Sequence, residues 1–190
     1  MDALEWLRAA IPDAARDIRL NLQTVLRGGA LSDAQRWGVA AAAAIAARHG
    51  GLRDAVLDAA AAVAGPAVVE DAKAAAALMA MNNVYYRFHH MVGRPVYGEK
   101  PAGLRMNRLM QPATNRTDFE QMALAVSAIN GCETCVRAHE KAVTEGGLTP
   151  DQVNDAVRIA ATIYAAAVAL EAGESGETGP STIEVSAQSA

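Results

Sequence analysis

Apolar positions recur along most of this chain at helical spacing, and glycines, prolines and short polar residues break them into segments. The pattern predicts helices over residues 2 to 10, 13 to 27, 32 to 48, 51 to 63 and 66 to 90, then a loop, then helices over 116 to 130, 132 to 146 and 150 to 172. Ser32-Asp33 and Thr149-Pro150-Asp151 read as helix starts, because a short polar side chain accepts hydrogen bonds from the first, unpartnered amides. Gly28-Gly29, Gly50-Gly51 and Gly146-Gly147 read as stops. Between Gly93 and Arg116 three prolines and three glycines interrupt any period, which marks a connector between two halves. From Gly173 the sequence GESGETGPSTIEVSAQSA is too polar and small to bury much surface and is expected to be a disordered tail over 173 to 190.

A weak internal repeat appears at an offset of 84 residues. Pro66, Val69, Asp71, Ala72, Ala76, Ala77 and Val84 fall on Pro150, Val153, Asp155, Ala156, Ala160, Ala161 and Val168, and Ala41, Ala44 and Ile45 fall on Ala125, Ala128 and Ile129. Two related helical units are therefore expected, over about residues 30 to 92 and 114 to 172, within one domain spanning residues 1 to 172. At this offset Arg48 and Gly51 stand where Cys132 and Cys135 stand in the second unit, so only the second carries thiols.

Composition sharpens the fold class. Hydrophobic residues make up 52% of the 190 positions but aromatics only 4%, and alanine runs such as Ala40 to Ala44 and Ala74 to Ala77 fill the difference. Alanine is the best helix former and a poor strand former, so an all-α fold is expected. A net charge of −4, with no cluster of Lys and Arg, argues against nucleic acid as a partner. No stretch of about 18 residues is apolar without charges, so no membrane span is expected. The start, MDALEWLRAAIPDAARD, fits neither a signal nor a transit peptide. Two cysteines two residues apart cannot staple a small secreted domain, which points to a reducing, cytoplasmic setting.

The chemistry concentrates in FEQMALAVSAINGCETCVRAHEKAV, Phe119 to Val143. One apolar helix meets an Asn130-Gly131 break, and a second helix starts at Cys132. A thiol at a helix amino-terminus is favoured as thiolate by free amides and the positive end of the dipole. Cys135, three residues on, lies within disulfide reach, and His139 falls on the same stripe, four residues beyond Cys135, where it offers a base. Glu120 lies roughly three turns before the break, and an antiparallel return brings its carboxylate back toward His139. Taken alone, a glutamate near a helix start reads as a surface residue.

Other readings of these residues stand beside thiol chemistry. Two buried cysteines pack as small hydrophobes. A zinc site could use Cys132, Cys135 and His139 with Glu120 as fourth ligand, although no second close ligand pair is present. Covalent haem attachment fails, because Val136 stands where the histidine must follow the second cysteine. His49, His89 and His90 have no partner at metal spacing and read as structural, and the run NNVYYRF, Asn82 to Phe88, reads as packing.

The segment AVSAINGCETCVRAHE, Ala125 to Glu140, closely resembles the redox motif of the AhpD family, alkyl hydroperoxidases related to carboxymuconolactone decarboxylases. RDIRLNL at Arg16 to Leu22, MNNVYYRF at Met81 to Phe88 and GLRMN at Gly103 to Asn107 are similar to family segments in the same order, so the resemblance covers about residues 1 to 172. It implies an internally duplicated helical subunit, assembled as a homotrimer, that regenerates the peroxiredoxin AhpC and reduces organic hydroperoxides. Its implied electron source is dihydrolipoamide, as the lipoyl group of a dehydrogenase-complex acyltransferase. By the motif, Cys135 would be oxidised to the sulfenic acid, Cys132 would be its partner and proton donor, and Glu120 and His139 would relay protons. Thr134 stands where some members carry a histidine, which shortens that relay. A decarboxylase-like enzyme of the same superfamily, and a zinc-binding or scaffold protein without catalysis, remain the alternatives.

Overall fold

The computed structural model describes residues 3–174. Among these described residues nine α-helices follow one another: α1 (Ala3–Ala10), α2 (Arg16–Arg27), α3 (Asp33–Ala47), α4 (Gly50–Ala64), α5 (Pro66–Val92), α6 (Pro95–Gly98), α7 (Arg116–Ile129), α8 (Glu133–Glu145) and α9 (Pro150–Glu174). No strand occurs among the described residues, so the fold is all-α as the alanine content requires. Helix α3 is the hub, packed against α4, α5, α7 and α9 at once. Five successive alanines, Ala40 to Ala44, are completely buried there. A helix can be covered on every side only if its side chains are short, because each neighbour must approach its backbone closely. The larger core side chains, among them Leu22, Leu52, Met79, Phe119, Met122 and Ile163, come from the surrounding helices.

The helix starts follow the polar punctuation. The Ser32 hydroxyl accepts from the Gln35 amide at 3.2 Å and the Gln35 side chain accepts from the Ser32 amide, closing a capping box on α3. Thr149 and Gln152 make the same reciprocal pair on α9. Asn115 caps α7, its side-chain oxygen accepting from Asp118 N at 2.9 Å. His49 caps α4 with Nδ1, which accepts from Leu52 N at 3.1 Å. That contact gives His49 the structural role expected of it.

Three expectations need correction. Gly50-Gly51 do not stop α3: Arg48 takes the left-handed closing position, with φ 63°, and the two glycines open α4. The connector is not structureless, since it holds α6 and a 3-10 turn, Asn107–Met110. The wholly buried Asp71 of α5 pins it, accepting from Arg108 Nη2, Ala113 N and Thr114 N at 2.8 Å and from Thr114 Oγ1 at 2.7 Å. Finally, α9 runs to Glu174, two residues into the expected disordered tail, and residues 175 to 190 of that tail lie outside the described residues.

Helix α9 is long and apolar enough to cross a membrane by length and composition. Its Ala156, Ile159, Ile163, Ala166 and Leu170 are instead buried in the core beside α2, α3 and α7. Pro66 and Pro150, paired by the 84-residue offset, each open the long third helix of a three-helix run, α3–α5 and α7–α9.

Candidate redox site

The site is built where α7 turns into α8. Residues Phe119 to Ser127 of α7 are buried in succession, so this helix is a fixed wall. The chain leaves it through Asn130 and Gly131, the latter at φ 65°, a conformation that a glycine adopts without strain. Cys132 then stands as the N-cap of α8: its amide donates to Ser127 O at 3.2 Å, and its carbonyl accepts from Val136 N at 2.9 Å. A polar chain behind the turn fixes it. Asn83 Nδ2 donates to Ser127 Oγ at 3.0 Å, Asn130 Nδ2 donates to Asn83 Oδ1 at 2.9 Å, and Arg87 Nη1 donates to Asn130 O at 2.6 Å.

Cys132 and Cys135 are joined as a disulfide across a Cα–Cα distance of 5.3 Å. Their surroundings differ. Cys132 is completely buried, whereas Cys135 keeps 6% of its surface and lines an open cavity of about 230 Å³. Asn82 and Tyr86 of α5 and Thr134, Ala138 and His139 of α8 line the same cavity. A larger cavity of about 390 Å³ lies elsewhere, between Arg48, Arg53, Lys73 and Asn130, and its lining holds no thiol or histidine.

The antiparallel return of α8 along α7 brings Glu120 to His139. Glu120 Oε2 lies 2.6 Å from His139 Nδ1, and both side chains are buried. Arg116, one turn before Glu120, reaches its other oxygen at 3.7 Å. The ordinary surface reading of a glutamate near a helix start is therefore wrong for Glu120. A carboxylate on one ring nitrogen holds the imidazole in a single orientation and favours the proton on that nitrogen. His139 Nε2 lies 3.1 Å from the thioether of Met79. All four sequence-derived residues, Cys132, Cys135, His139 and Glu120, thus meet in one place.

Met79, Asn82, Asn83, Tyr86 and Arg87 were not legible as neighbours of the thiols, and the packing role expected of NNVYYRF is incomplete, since the run forms one wall of the site. Two asparagines in succession inside a long helix were the available signal, because asparagine is a poor interior helix residue unless its amide is used. His89 packs on Tyr85, ring centroids 4.4 Å apart, and exposed His90 lies 3.5 Å from Glu133, so neither joins the site. Among the described residues no three His, Cys, Asp or Glu side chains are arranged to hold a metal ion.

Helical fold, N-capping cysteine and its bonded partner together define a helical protein with a buried cysteine pair beside a histidine, and residues 95–175 match the carboxymuconolactone decarboxylase family. The chain is 66% identical over 171 residues to the alkyl hydroperoxide reductase AhpD of Anaeromyxobacter dehalogenans strain 2CP-C, covering 90% of this chain and 92% of that one. It is 45% identical over 183 residues to the AhpD of Rhodospirillum centenum, covering 95% and 98%, and 46% identical over 170 residues to that of Bradyrhizobium sp. strain BTAi1, covering 90% and 94%. The chain belongs to the AhpD family of alkyl hydroperoxide reductases.

Proposed function

We infer that the protein is a peroxidase and disulfide reductase that cycles Cys132 and Cys135 between dithiol and disulfide. In the reduced form His139, oriented by Glu120, takes the Cys135 proton. The thiolate attacks the terminal oxygen of an organic hydroperoxide, the O–O bond breaks, and the alkoxide takes a proton to leave as alcohol. Cys132 then displaces water from the Cys135 sulfenic acid and closes the disulfide. Dihydrolipoamide reopens it through a mixed disulfide and is itself oxidised to the cyclic disulfide. The same exchange, run against an oxidised peroxiredoxin, would regenerate AhpC. The observation that carries this reading is that Cys135, and not Cys132, lines a cavity together with a histidine whose other side is held by a buried carboxylate.

The proposal extends to a homotrimer in the cytoplasm, served by the lipoylated acyltransferase of a dehydrogenase complex. It predicts that the reduced protein loses both thiols to one equivalent of cumene hydroperoxide, that peptide mass locates the bridge between Cys132 and Cys135, and that dihydrolipoamide restores both. Two thiols that persist in the presence of peroxide would refute it. The matched family's name favours a second reading, decarboxylation of a lactone acid. That chemistry has no need of a thiol pair, so a double Cys→Ser variant that kept such activity would establish it.

A further inference from the structure

Two residues of α5 grip the turn that carries Cys132. Asn130, two positions before that cysteine, is held twice: its Nδ2 donates to Asn83 Oδ1 at 2.9 Å, and its backbone oxygen accepts from Arg87 Nη1 at 2.6 Å. The Asn83 amide nitrogen donates to Ser127 Oγ at 3.0 Å, and the carbonyl of the same Ser127 accepts from the Cys132 amide at 3.2 Å. Asn83 and Arg87 stand one helical turn apart, so α5 presents them to the turn together. Asn83 and Ser127 are buried, where a polar side chain is costly unless its partners are in place. The fold alone does not ask for them. At the 84-residue offset Ser127 and Asn130 fall on Ala43 and Ala46, and Asn83 and Arg87 fall on Ala167 and Glu171. Helices α3 and α4 are nevertheless joined by a turn that also passes through one left-handed residue, Arg48 there and Gly131 between α7 and α8. The grip accompanies the thiols and not the turn.

None of these contacts involves a cysteine sulfur, so opening the disulfide breaks none of them. Cys132 is the N-cap of α8, and a helix end frays where nothing holds it. A sulfenic acid at Cys135 has two fates: it condenses with a neighbouring thiol, or a second hydroperoxide carries it on to the sulfinic acid. How often the Cys132 sulfur lies within bonding reach decides between them. We propose that Asn83 and Arg87 are positioning residues for the resolving step: they keep reduced Cys132 within reach of Cys135, which raises its effective concentration, speeds closure of the disulfide and makes the dithiol a stronger reductant. The step balances without a further reactant: the Cys135 sulfenic acid and the Cys132 thiol give the disulfide and water. This inference rests on the thiol cycle proposed above and assigns it the residues that set its resolving rate and its redox equilibrium.

Two measurements on the full-length protein test it, with Asn83→Ala and Arg87→Ala beside the wild type. In the first, the dithiol–disulfide equilibrium is read against mixtures of reduced and oxidised dithiothreitol, with no peroxide present. Each variant is expected to shift it toward the dithiol about tenfold, which is about 30 mV less reducing for a two-electron couple. In the second, the pre-reduced protein meets cumene hydroperoxide in single turnover. Sulfenic acid formation is expected to stay within about twofold of wild type, whereas disulfide closure slows about tenfold and sulfinic acid accumulates under excess hydroperoxide. An unchanged equilibrium in either folded variant overturns the inference, as does equal slowing of both steps, which would make the pair a support for the site in general. If circular dichroism shows that Asn83→Ala does not fold, Arg87→Ala, which trims a half-buried side chain, decides. A wild-type dithiol that ignores the hydroperoxide would overturn the peroxidase reading alone, since the equilibrium measurement needs no peroxide and still decides on Asn83 and Arg87.

Discussion

Cys132 and Cys135 share a bond but not an environment, and the proposed order of their reactions rests on that difference. Cys135 lines the cavity and can meet a substrate, whereas Cys132 is enclosed and meets only Cys135. Cys135→Ser should therefore leave one thiol that hydroperoxide does not oxidise, and Cys132→Ser should let Cys135 reach the sulfenic acid, trapped by dimedone, without turning over. Wild-type turnover in either variant would break the mechanism. His139→Gln and Glu120→Gln act one step further back: both should slow turnover by about 10- to 100-fold and alter its pH dependence, since they remove the proposed base and the group that orients it. An unchanged pH profile would return both residues to structural roles. The thiols and His139 were legible from spacing along one helix. Glu120 required the further guess that α8 runs back along α7, and that guess is what the 2.6 Å contact rewards. Asn82 and Met79 were out of reach because nothing in local spacing says which face of α5 meets α8.

Among the elements, the connector between the halves behaves least like its sequence. Its prolines and glycines promise an irregular loop, yet a buried carboxylate from α5 gathers four donors from it. Asp71 is one of the residues matched by the 84-residue offset; its counterpart Asp155 is also pinned to a distant segment, accepting from Ala30 N at 2.6 Å. Removing the Asp71 side chain leaves two backbone amides and the Arg108 guanidinium without this acceptor. Asp71→Ala should cost about 3 kcal/mol in urea denaturation, and amide exchange should quicken first in the connector, around 107 to 114. Asp71→Asn should retain part of that stability, and a loss confined to global unfolding with no local change would argue against the clip. Helix existence was readable almost throughout, because periodic apolar runs and Ser or Thr caps are local signals. The α3–α4 boundary was misread because Arg48 takes a left-handed position usually held by glycine, and a preference of that size yields to packing. The Asp71 clip was unreadable for the opposite reason, since its partners lie 37 to 43 residues away.

For the whole molecule, α3 explains why alanine dominates: a hub covered on all sides excludes larger side chains, and the same shortness leaves shallow faces on the outer helices. One such face is not closed by the described residues. Val157, Tyr164 and Val168 of α9 are exposed at positions 7 and 11 residues apart, which places them along one side of the helix. Beside them a cavity of about 240 Å³ opens between α7 and α9, lined by Ala128, Ile129 and Ala160. An apolar stripe over a shallow apolar cavity is the form of surface that a second subunit covers. If the proposed trimer uses it, sedimentation should give a species of about 59 kDa, three times the 19.8 kDa chain. Tyr164→Glu and Val168→Glu, which bury a charge only if the face is covered, should then shift the protein to 19.8 kDa while circular dichroism keeps its helical signal. A trimer that survives both substitutions would place its interface elsewhere on the surface, and a wild-type monomer would remove the trimer from the proposal. Neither result would touch the thiol chemistry, because the residues of this face lie apart from those lining the Cys135 cavity.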